Sequence, residues 1–376
     1  MIDLLELRDR IDEIDAQIVE LYEKRMEICG QVAEYKIETG KKVLDKERED
    51  AKLEKVRALT RKEYNRHGVT ELFQQIMASS RKLQYQLLTA AGVAGRLPFV
   101  QVDEIPRENV RVVFQGVEGA YSQAAMKAFF GEKIRSFHVK QWRDALAAIS
   151  DGMADYAVLP IENSTAGIVS EIYDLLLKYD QYIVGEQIIS IDHKLLACPG
   201  AKFSGIKRVY SHEQALMQCE DYFLQHRNWE QVAVENTARA AEKVAQEKDP
   251  ESAAIASAIA GEIFGLEILD EGLCANERNS TRFVIVSNQR VFAKDAGKIS
   301  ICFELPHRSG SLYSILSHFI YNDLNLCKIE SRPLPGRNWE YRFFIDFEGS
   351  LNDSAVKNAL RGITEEAANM KILGNY

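Results

Sequence analysis

The chain has little of what would place it in several large classes. Its six cysteines, Cys29, Cys198, Cys219, Cys274, Cys302 and Cys327, form no C-x-x-C pair and share no repeated spacing. Neither a zinc site nor a disulfide framework is indicated, and the usage fits a reducing cytoplasm. No run approaches the ~18 consecutive apolar residues of a membrane-spanning helix. The opening residues, Met1 to Arg8, alternate charge with leucine, unlike a secretory signal. No Gly-x-Gly-x-x-Gly fingerprint occurs, which disfavours a nicotinamide enzyme. No cofactor or metal is called for. Positive charge is not in excess either: the net charge of −9 argues against nucleic acid as the main partner. Small anions stay open, because a site needs only a few local cations.

What is present is an ordinary globular composition. Of 376 residues, 46% are hydrophobic and 27% charged, which excludes a disordered or fibrous chain. The length predicts two to three domains at about 150 residues each. Residues 1–88 hold no proline, and their only glycines are Gly30, Gly40 and Gly68; apolar residues recur there at helical spacing. Residues 89–109 are rich in Ala, Gly and Pro and read as a linker. From Val110 short β-rich runs alternate with helical ones (strands at 110–114 and 156–161, helices at 122–130 and 168–179), which predicts an α/β domain over 110–290 with largely parallel strands. From Lys298 the pattern restarts as strand (298–305), helix (311–321), strands around 327–330 and 341–347, helix (354–369) and a short last strand. That βαββαβ order over 297–376 predicts a small α+β, ferredoxin-like domain.

The first helix carries a 3-4 apolar stripe, Leu4, Leu7, Ile11, Ile14, Ile18, Leu21, Arg25, Ile28, Val32 and Tyr35, whose one charge is Arg25. A guanidinium on a core stripe must find anions or stay hydrated. Lys36 lies about three turns on and nearly on the same face, whereas Arg8 points about a quarter turn away. After a turn at Gly40, Asp45, Arg48 and Glu49 share one helical face. A third stripe, Val69, Phe73, Ile76, Ser80, Leu83 and Leu87, is interrupted by a hydroxyl, with Gln84 one turn beyond Ser80. So long a stripe on helix one needs a partner, which predicts a homodimer or higher homo-oligomer. Each polar residue taken singly reads as a cross-helix ion pair or a solvated face. Together, two cations, a hydroxyl, an amide and a carboxylate on or beside core stripes have no packing explanation.

These positions resemble the all-helical class of chorismate mutase, over residues 2–88. The resemblance implies that Arg25, with Arg8 of a second subunit, clamps the two carboxylates of chorismate through bidentate pairing. Lys36 and Gln84 would donate to the breaking ether oxygen, Glu49 would accept from the ring hydroxyl, and Asp45, Arg48 and Ser80 would orient groups around it. The reaction is an intramolecular rearrangement that needs no nucleophile or base. Holding the compact conformer and stabilising charge on the ether oxygen suffice.

Four motifs mark the α/β region. Gly116-Val117-Glu118-Gly119-Ala120-Tyr121-Ser122 sits between strand and helix and reads equally as an anion-binding or a structural turn. Pro160-Ile161-Glu162-Asn163-Ser164-Thr165-Ala166-Gly167 lies in a second strand-to-helix junction. Tyr210-Ser211-His212, with Gln218 beyond it, and Asn279-Ser280-Thr281-Arg282-Phe283 complete the set. In this order they resemble the prephenate dehydratase family, across residues 110–288. The glycine motif departs from it, with Val117 where proline is usual and Ala120 where a hydroxyl is common.

That family implies a two-lobed α/β fold like periplasmic-binding proteins, with the site in the cleft. It also implies conversion of prephenate to phenylpyruvate, carbon dioxide and water. Thr281 would be the catalytic hydroxyl, donating to the leaving group, while Asn163, Ser211 and Gln218 bind and orient substrate. Arg282 is either the carboxylate partner or a structural ion pair, and His212 either a general acid or a buried, satisfied histidine.

In the last domain, Gly310-Ser311-Leu312-Tyr313 and Glu330-Ser331-Arg332-Pro333 resemble the ACT regulatory domain, with Ser311 where alanine is commoner. The resemblance implies an L-phenylalanine pocket at a subunit interface formed by Gly310, Ser311, Leu312, Glu330, Ser331 and Arg332. The reading is therefore a two-reaction enzyme of phenylalanine biosynthesis under product inhibition, with no nucleic acid or membrane partner. A dehydratase whose helical part only dimerises and a non-enzymatic ligand sensor are the rivals, and arogenate is an alternative substrate.

Overall fold

The computed structural model describes residues 3–93, 97–274, 279–334, 336–337 and 339–376. It divides into two compact units: Met1–Pro98 with Ala296–Ile372, and Phe99–Asp295 with Leu373–Tyr376.

Three helices open the chain: α1 (Leu4–Thr39), α2 (Lys46–Leu59) and α3 (Arg66–Ala90). Asp3 caps α1 by accepting from the Leu5 N–H at 2.9 Å, and Gly40 ends it in the left-handed region at φ 69°, a conformation glycine adopts without a Cβ penalty. Asp45 caps α2 through the Arg48 N–H, at 3.1 Å. A small core of Ala33, Val43, Tyr85 and Leu88 ties α1 and the turn after it to α3. The stripe on the first half of α1 stays uncovered: Ile11, Ile14, Ile18 and Leu21 are each at least half exposed, at 55%, 56%, 50% and 65%.

The expected linker over 89–109 is partly structured. α3 continues to Ala90, and β1 (Val100–Val102) pairs in parallel with Val291–Ala293. Val102 packs against a core that includes Ile105, so burial of these apolar side chains recruits the segment. Residues 94–96 of that linker lie outside the described residues.

In the second unit the first sheet is built from β2 (Arg111–Gln115), α4 (Tyr121–Phe130), β3 (Arg135–Val139), α5 (Trp142–Ser150), β4 (Tyr156–Asn163), β5 (Gly167–Ile168), α6 (Ser170–Lys178) and β6 (Tyr182–Ser190). A second lobe follows as β7 (Lys194–Ala197), β8 (Arg208–Ser211), α7 (Glu213–Gln218), α8 (Glu220–Gln225), β9 (Glu230–Ala233), α9 (Thr237–Glu247), β10 (Ser252–Ala256), α10 (Ala258–Phe264) and β11 (Glu267–Asp270). The chain then returns to the first sheet as β12 (Ser280–Ser287), followed by β13 (Val291–Ala293). The sheet orders are β6-β12-β4-β2-β3 and β11-β7-β10-β8-β9.

Both sheets are mixed rather than largely parallel. β2 pairs in parallel with β3 and β4, as β8 does with β9 and β10, but β12 and β7 run antiparallel to both of their neighbours. The strands that cross between lobes enter each sheet against its direction. Alternation covers both faces of the second sheet: Leu195, Ala253 and Ile255 feed one cluster, and Leu196, Tyr210 and Ala254 the other, as the two-residue period of a strand requires.

The C-terminal elements are β14 (Lys298–Leu305), α11 (Ser311–Ile320), β15 (Leu326–Pro333), β16 (Tyr341–Glu348), α12 (Ser354–Glu366) and β17 (Ala368–Asn375), in the order β15-β16-β14-β17. The expected βαββαβ succession is present. The last helix stops at Glu366 rather than at 369, and Asn369 has φ 50°. Ala367 caps the helix, and residues 368 and 369 open the last strand, which is eight residues long.

Candidate active sites

In the helical part, α1 and α3 meet through the residues that break their stripes. The Arg25 guanidinium donates to the Ser80 hydroxyl, and a second contact reaches Cys29 Sγ at 3.7 Å. Ser80 in turn donates to the Ile76 carbonyl at 2.7 Å. One turn further along α3, Gln84 is buried and its Oε1 has no hydrogen-bond partner among the described residues. A buried amide acceptor left unpaired costs about 1–3 kcal/mol, which a bound polar ligand would recover. The same spot can hold the amide nitrogen, since O and N exchange by a half-turn of the terminal torsion.

Lys36 donates to the Val43 carbonyl at 2.6 Å. Burial pulls its ammonium below the ordinary lysine value, against the opposing fields of Asp45, Glu365 and Glu49, while Arg48 adds to the lowering. Lys36, Asp45, Arg48 and Glu49 are therefore within electrostatic reach of one another. Asp45 and Arg48 are exposed and Glu49 half-buried. Arg8 is not with them. It lies seventeen residues before Arg25 on one continuous helix, which at 1.5 Å per residue is about 25 Å. Within one chain it cannot share a ligand with Arg25.

Sequence reasoning missed Arg81. It is buried, and its guanidinium spans Glu49 Oε2 at 2.5 Å and Glu366 Oε1 at 3.1 Å. The signal was a second stripe on α3, Met77, Arg81, Gln84 and Leu88, all buried and again carrying a charge.

In the second unit the site gathers on β4 and β12. The two strands place Thr281 opposite Asn163, and Asn163 Nδ2 donates to Thr281 Oγ1 at 2.9 Å and to Asn279 Oδ1 at 2.9 Å. Asn163 is itself held by the N–H groups of Thr165 and Ala166, which donate to its Oδ1 at 3.0 and 2.8 Å. Asn279 Nδ2 donates to Gln218 Oε1 at 3.1 Å. Thr281, Asn163, Asn279 and Gln218 thus form one chain of side-chain bonds. Thr281 is buried, and its oxygen accepts from Asn163, so its own proton is available to a substrate oxygen.

Gln218 leads on to His193, which no motif flagged. His193 is buried, 3.1 Å from the Tyr121 hydroxyl, and its imidazole is pulled down to about 4 by burial, against a hydrogen bond to Gln218 and the charge of Asp192. At neutral pH its imidazole is uncharged. Cys219, next to Gln218, faces Cys274 at 2.9 Å as a pair of free thiols, a meeting that no sequence spacing announces.

Other expected residues stand differently. Arg282 follows Thr281 on β12 and so points to the opposite face of the strand. There it meets Glu162 at 3.5 Å and Glu186 at 3.4 Å. Ser211 is fully buried and donates to the Ile255 carbonyl at 2.7 Å. His212 is exposed rather than buried, and its Nδ1 caps α7 by accepting from the Gln214 N–H at 3.2 Å. The loop before α4 behaves as a packed turn. Val117 and Ala120 join the core of the second lobe, and Gly119, at φ 82°, lies so close to α10 that a Cβ would sit 2.9 Å from Ala260 Cα.

In the C-terminal part Gly310 opens α11 at φ 81°, and Ser311 Oγ donates to the Pro306 and Arg308 carbonyls at 3.0 Å each. Leu312 is half-buried. Glu330 and Arg332 share the half-buried face of β15, Ser331 is on the exposed one, and β15 is an edge strand separated from β14 by β16.

Among the described residues no helix is long and apolar enough to cross a membrane, and no group of three or more His, Cys, Asp or Glu is arranged to hold a metal ion.

Comparison with known proteins adds independent findings. Residues 7–85 match the family model of chorismate mutase type II, and residues 112–291 that of prephenate dehydratase. The bifunctional chorismate mutase/prephenate dehydratase of Escherichia coli K12 is 32% identical over 99% of this chain and 96% of its own length. That of Stutzerimonas stutzeri is 34% identical over 98% and 96%. Among solved structures, the prephenate dehydratase of Arthrobacter aurescens in complex with L-Phe is 32% identical, with a TM-score of 0.66 over 71% of this chain and 89% of that one. With relatives this similar over nearly its whole length, the chain belongs to the bifunctional chorismate mutase/prephenate dehydratase family.

Proposed function

We propose that the helices α1–α3 rearrange chorismate to prephenate and that the two-lobed region converts prephenate to phenylpyruvate, each with the side chains described above. The enzyme's two reactions are those of its family; the assignment of residues to them is our reading. Buried polar clusters with unspent hydrogen-bonding capacity, Gln84 beside Arg25 and Ser80 and Thr281 beside Asn163, carry that reading.

In the mutase, Arg25 clamps a substrate carboxylate while Ser80 fixes the guanidinium. Lys36 and Gln84 donate to the ether oxygen as its bond to carbon breaks and the new carbon–carbon bond forms. Glu49 takes the ring hydroxyl, and Asp45 and Arg48 shape the open side. The exposed stripe of α1 pairs with a second copy, which brings in Arg8. In the dehydratase, loss of carbon dioxide pushes an electron pair into the ring and expels the ring hydroxyl. Thr281 donates to that oxygen, which leaves as water once a proton has passed to it. Asn163 orients Thr281, and Gln218 and Ser211 keep the surrounding frame. Arg282 serves as an ion-paired strut, since its two glutamates occupy the face away from Thr281.

The domains in this reading are residues 1–88 (mutase), 110–290 (dehydratase, two lobes like a periplasmic-binding protein) and 297–376 (an ACT domain of ferredoxin-like order), with 89–109 between the first two. The ACT domain binds L-phenylalanine through Gly310, Ser311, Leu312, Glu330, Ser331 and Arg332 across a subunit interface, which the edge position of β15 permits, and thereby lowers turnover. The chain's six thiols are free in the described structure, in keeping with a cytoplasmic enzyme.

The test uses purified full-length chain with chorismate and no added cofactor, following chorismate loss and phenylpyruvate formation separately. Both are expected. Turnover of added prephenate with chorismate untouched would reduce α1–α3 to a dimerisation module. Calorimetry should show L-phenylalanine binding that Glu330→Ala weakens; no binding by the unaltered chain would end the regulatory part.

A further inference from the structure

The mutase residues sit against the last helix of the chain, within the same compact unit. Ser80 and Gln84 lie four residues apart on one face of α3, and Arg81 and Tyr85 lie four apart on the next face, about 100° round. In the first pair Ser80 holds Arg25 and Gln84 Oε1 is buried without a partner among the described residues. The second pair reaches two consecutive carboxylates at the end of α12. Glu366 Oε1 takes Arg81 Nη2 at 3.1 Å, and Glu365 Oε2 accepts from the Tyr85 hydroxyl at 2.6 Å. Glu365 Oε2 also accepts from the Leu44 N–H at 2.9 Å, in the turn whose Val43 carbonyl holds Lys36 and whose Asp45 caps α2.

Arg81 is 7% exposed and serves two carboxylates at once. His318 Nε2 meets the same Glu366 oxygen at 3.0 Å, and Ser314 Oγ donates to the other, Oε2, at 2.5 Å. His318 can approach because Gly362 has no side chain where the ring sits. Burial raises the Glu366 carboxyl, but His318, Arg81 and Ser314 outweigh it and hold it below the usual range. Glu366 is thus a fixed anion that keeps one arm of Arg81 away from Glu49. A buried guanidinium released from Glu366 turns its whole fork onto Glu49, since an unpaired buried charge is costly. Glu49 would then lose acceptor capacity and position for a substrate hydroxyl.

We propose that Arg81, Glu365 and Glu366 are positioning residues of the mutase site, so that the C-terminal domain of this chain completes the site in the N-terminal one. The inference rests on the assignment of Glu49 to chorismate made above.

The experiment measures mutase and dehydratase kinetics on the full-length chain with Glu366→Gln, Arg81→Gln, the double variant and Glu49→Gln. Glu366→Gln keeps shape and drops charge. It should raise KM for chorismate about ten- to hundredfold, the scale of a misplaced contact, while kcat falls less, since a ground-state contact is what moves. A merely structural lesion lowers the active fraction, and with it kcat, at unchanged KM. Because Glu366 acts through Arg81, the double variant should be no worse than Arg81→Gln alone. Dehydratase kcat stays at the level of the parent chain throughout. Mutase kinetics unchanged by Glu366→Gln, a loss in kcat alone, or additive losses in the double variant would overturn the inference while leaving the mutase assignment intact if Glu49→Gln is inactive. A fully active Glu49→Gln overturns both.

Discussion

Thr281→Val is the sharpest perturbation of the dehydratase site. Valine has the outline of threonine without the hydroxyl. Thr281 Oγ1 accepts one bond, from Asn163 Nδ2 at 2.9 Å. That donor also has the Asn279 side chain at 2.9 Å and the Ser280 carbonyl at 3.2 Å, so Asn163 is not orphaned when the hydroxyl is removed. The expected cost in stability is about 1 kcal/mol, one ordinary hydrogen bond. The expected cost in catalysis is larger. A donor aimed at charge that develops on the leaving oxygen is worth about 2.7–4 kcal/mol, or 10²–10³ in kcat. The assay is phenylpyruvate formation from prephenate, with chorismate turnover by the same preparation as the control for folding. Loss of dehydratase kcat by about two orders of magnitude with mutase kcat unchanged is the expected result. A kcat within about fivefold of the parent chain, less than the ~1.4 kcal/mol that one order of magnitude represents, would remove Thr281 from the chemistry.

Three further outcomes are expected. Arg25→Ala should abolish mutase turnover and leave dehydratase turnover largely intact, because Arg25 bonds only within the helical part in the contacts described above; joint loss of both activities would refute independent sites. Gly119→Ala should destabilise the dehydratase lobes by about 2–5 kcal/mol, from a left-handed φ and a Cβ driven into α10, which urea unfolding followed by tryptophan fluorescence measures; an unchanged midpoint would contradict the close packing. His193 should make stability depend on pH. Its folded value of about 4 lies below the ordinary 6.5, so the unfolded chain binds the extra proton and stability falls as pH drops from about 6.5 to 4. The full effect is about 3 kcal/mol at 1.36 kcal/mol per unit, and His193→Gln should remove that part of the slope in urea titrations run across this range.

Much of this protein was legible in one dimension. Helix, α/β and βαββαβ regions follow from apolar periods that each element carries within itself. Arg25, Ser80 and Gln84 stood out because a polar residue on an apolar stripe violates a local rule. Thr281 and Asn163 stood out by motif, and the strand pairing sets them opposite each other. Local rules are silent on what meets across the chain. Arg81 lies 32 residues from Glu49, and Asn163 lies 116 from Asn279; such pairs exist only once helices and strands have packed.

Packing also settled which face a residue takes. Thr281 and Arg282 are neighbours in one motif, yet the pleat sends them to opposite sides, one to Asn163 and the other to two glutamates. It left His212 on the surface as a helix cap and hid His193 beside Gln218. The sequence by itself determined the elements, their order and the chemical inventory, because those depend on short-range periodicity and on residue type. Tertiary structure alone decided the partners of each charged and polar group, because burial forces such groups to pair and the nearest partner in space is set by the crossing of elements distant along the chain.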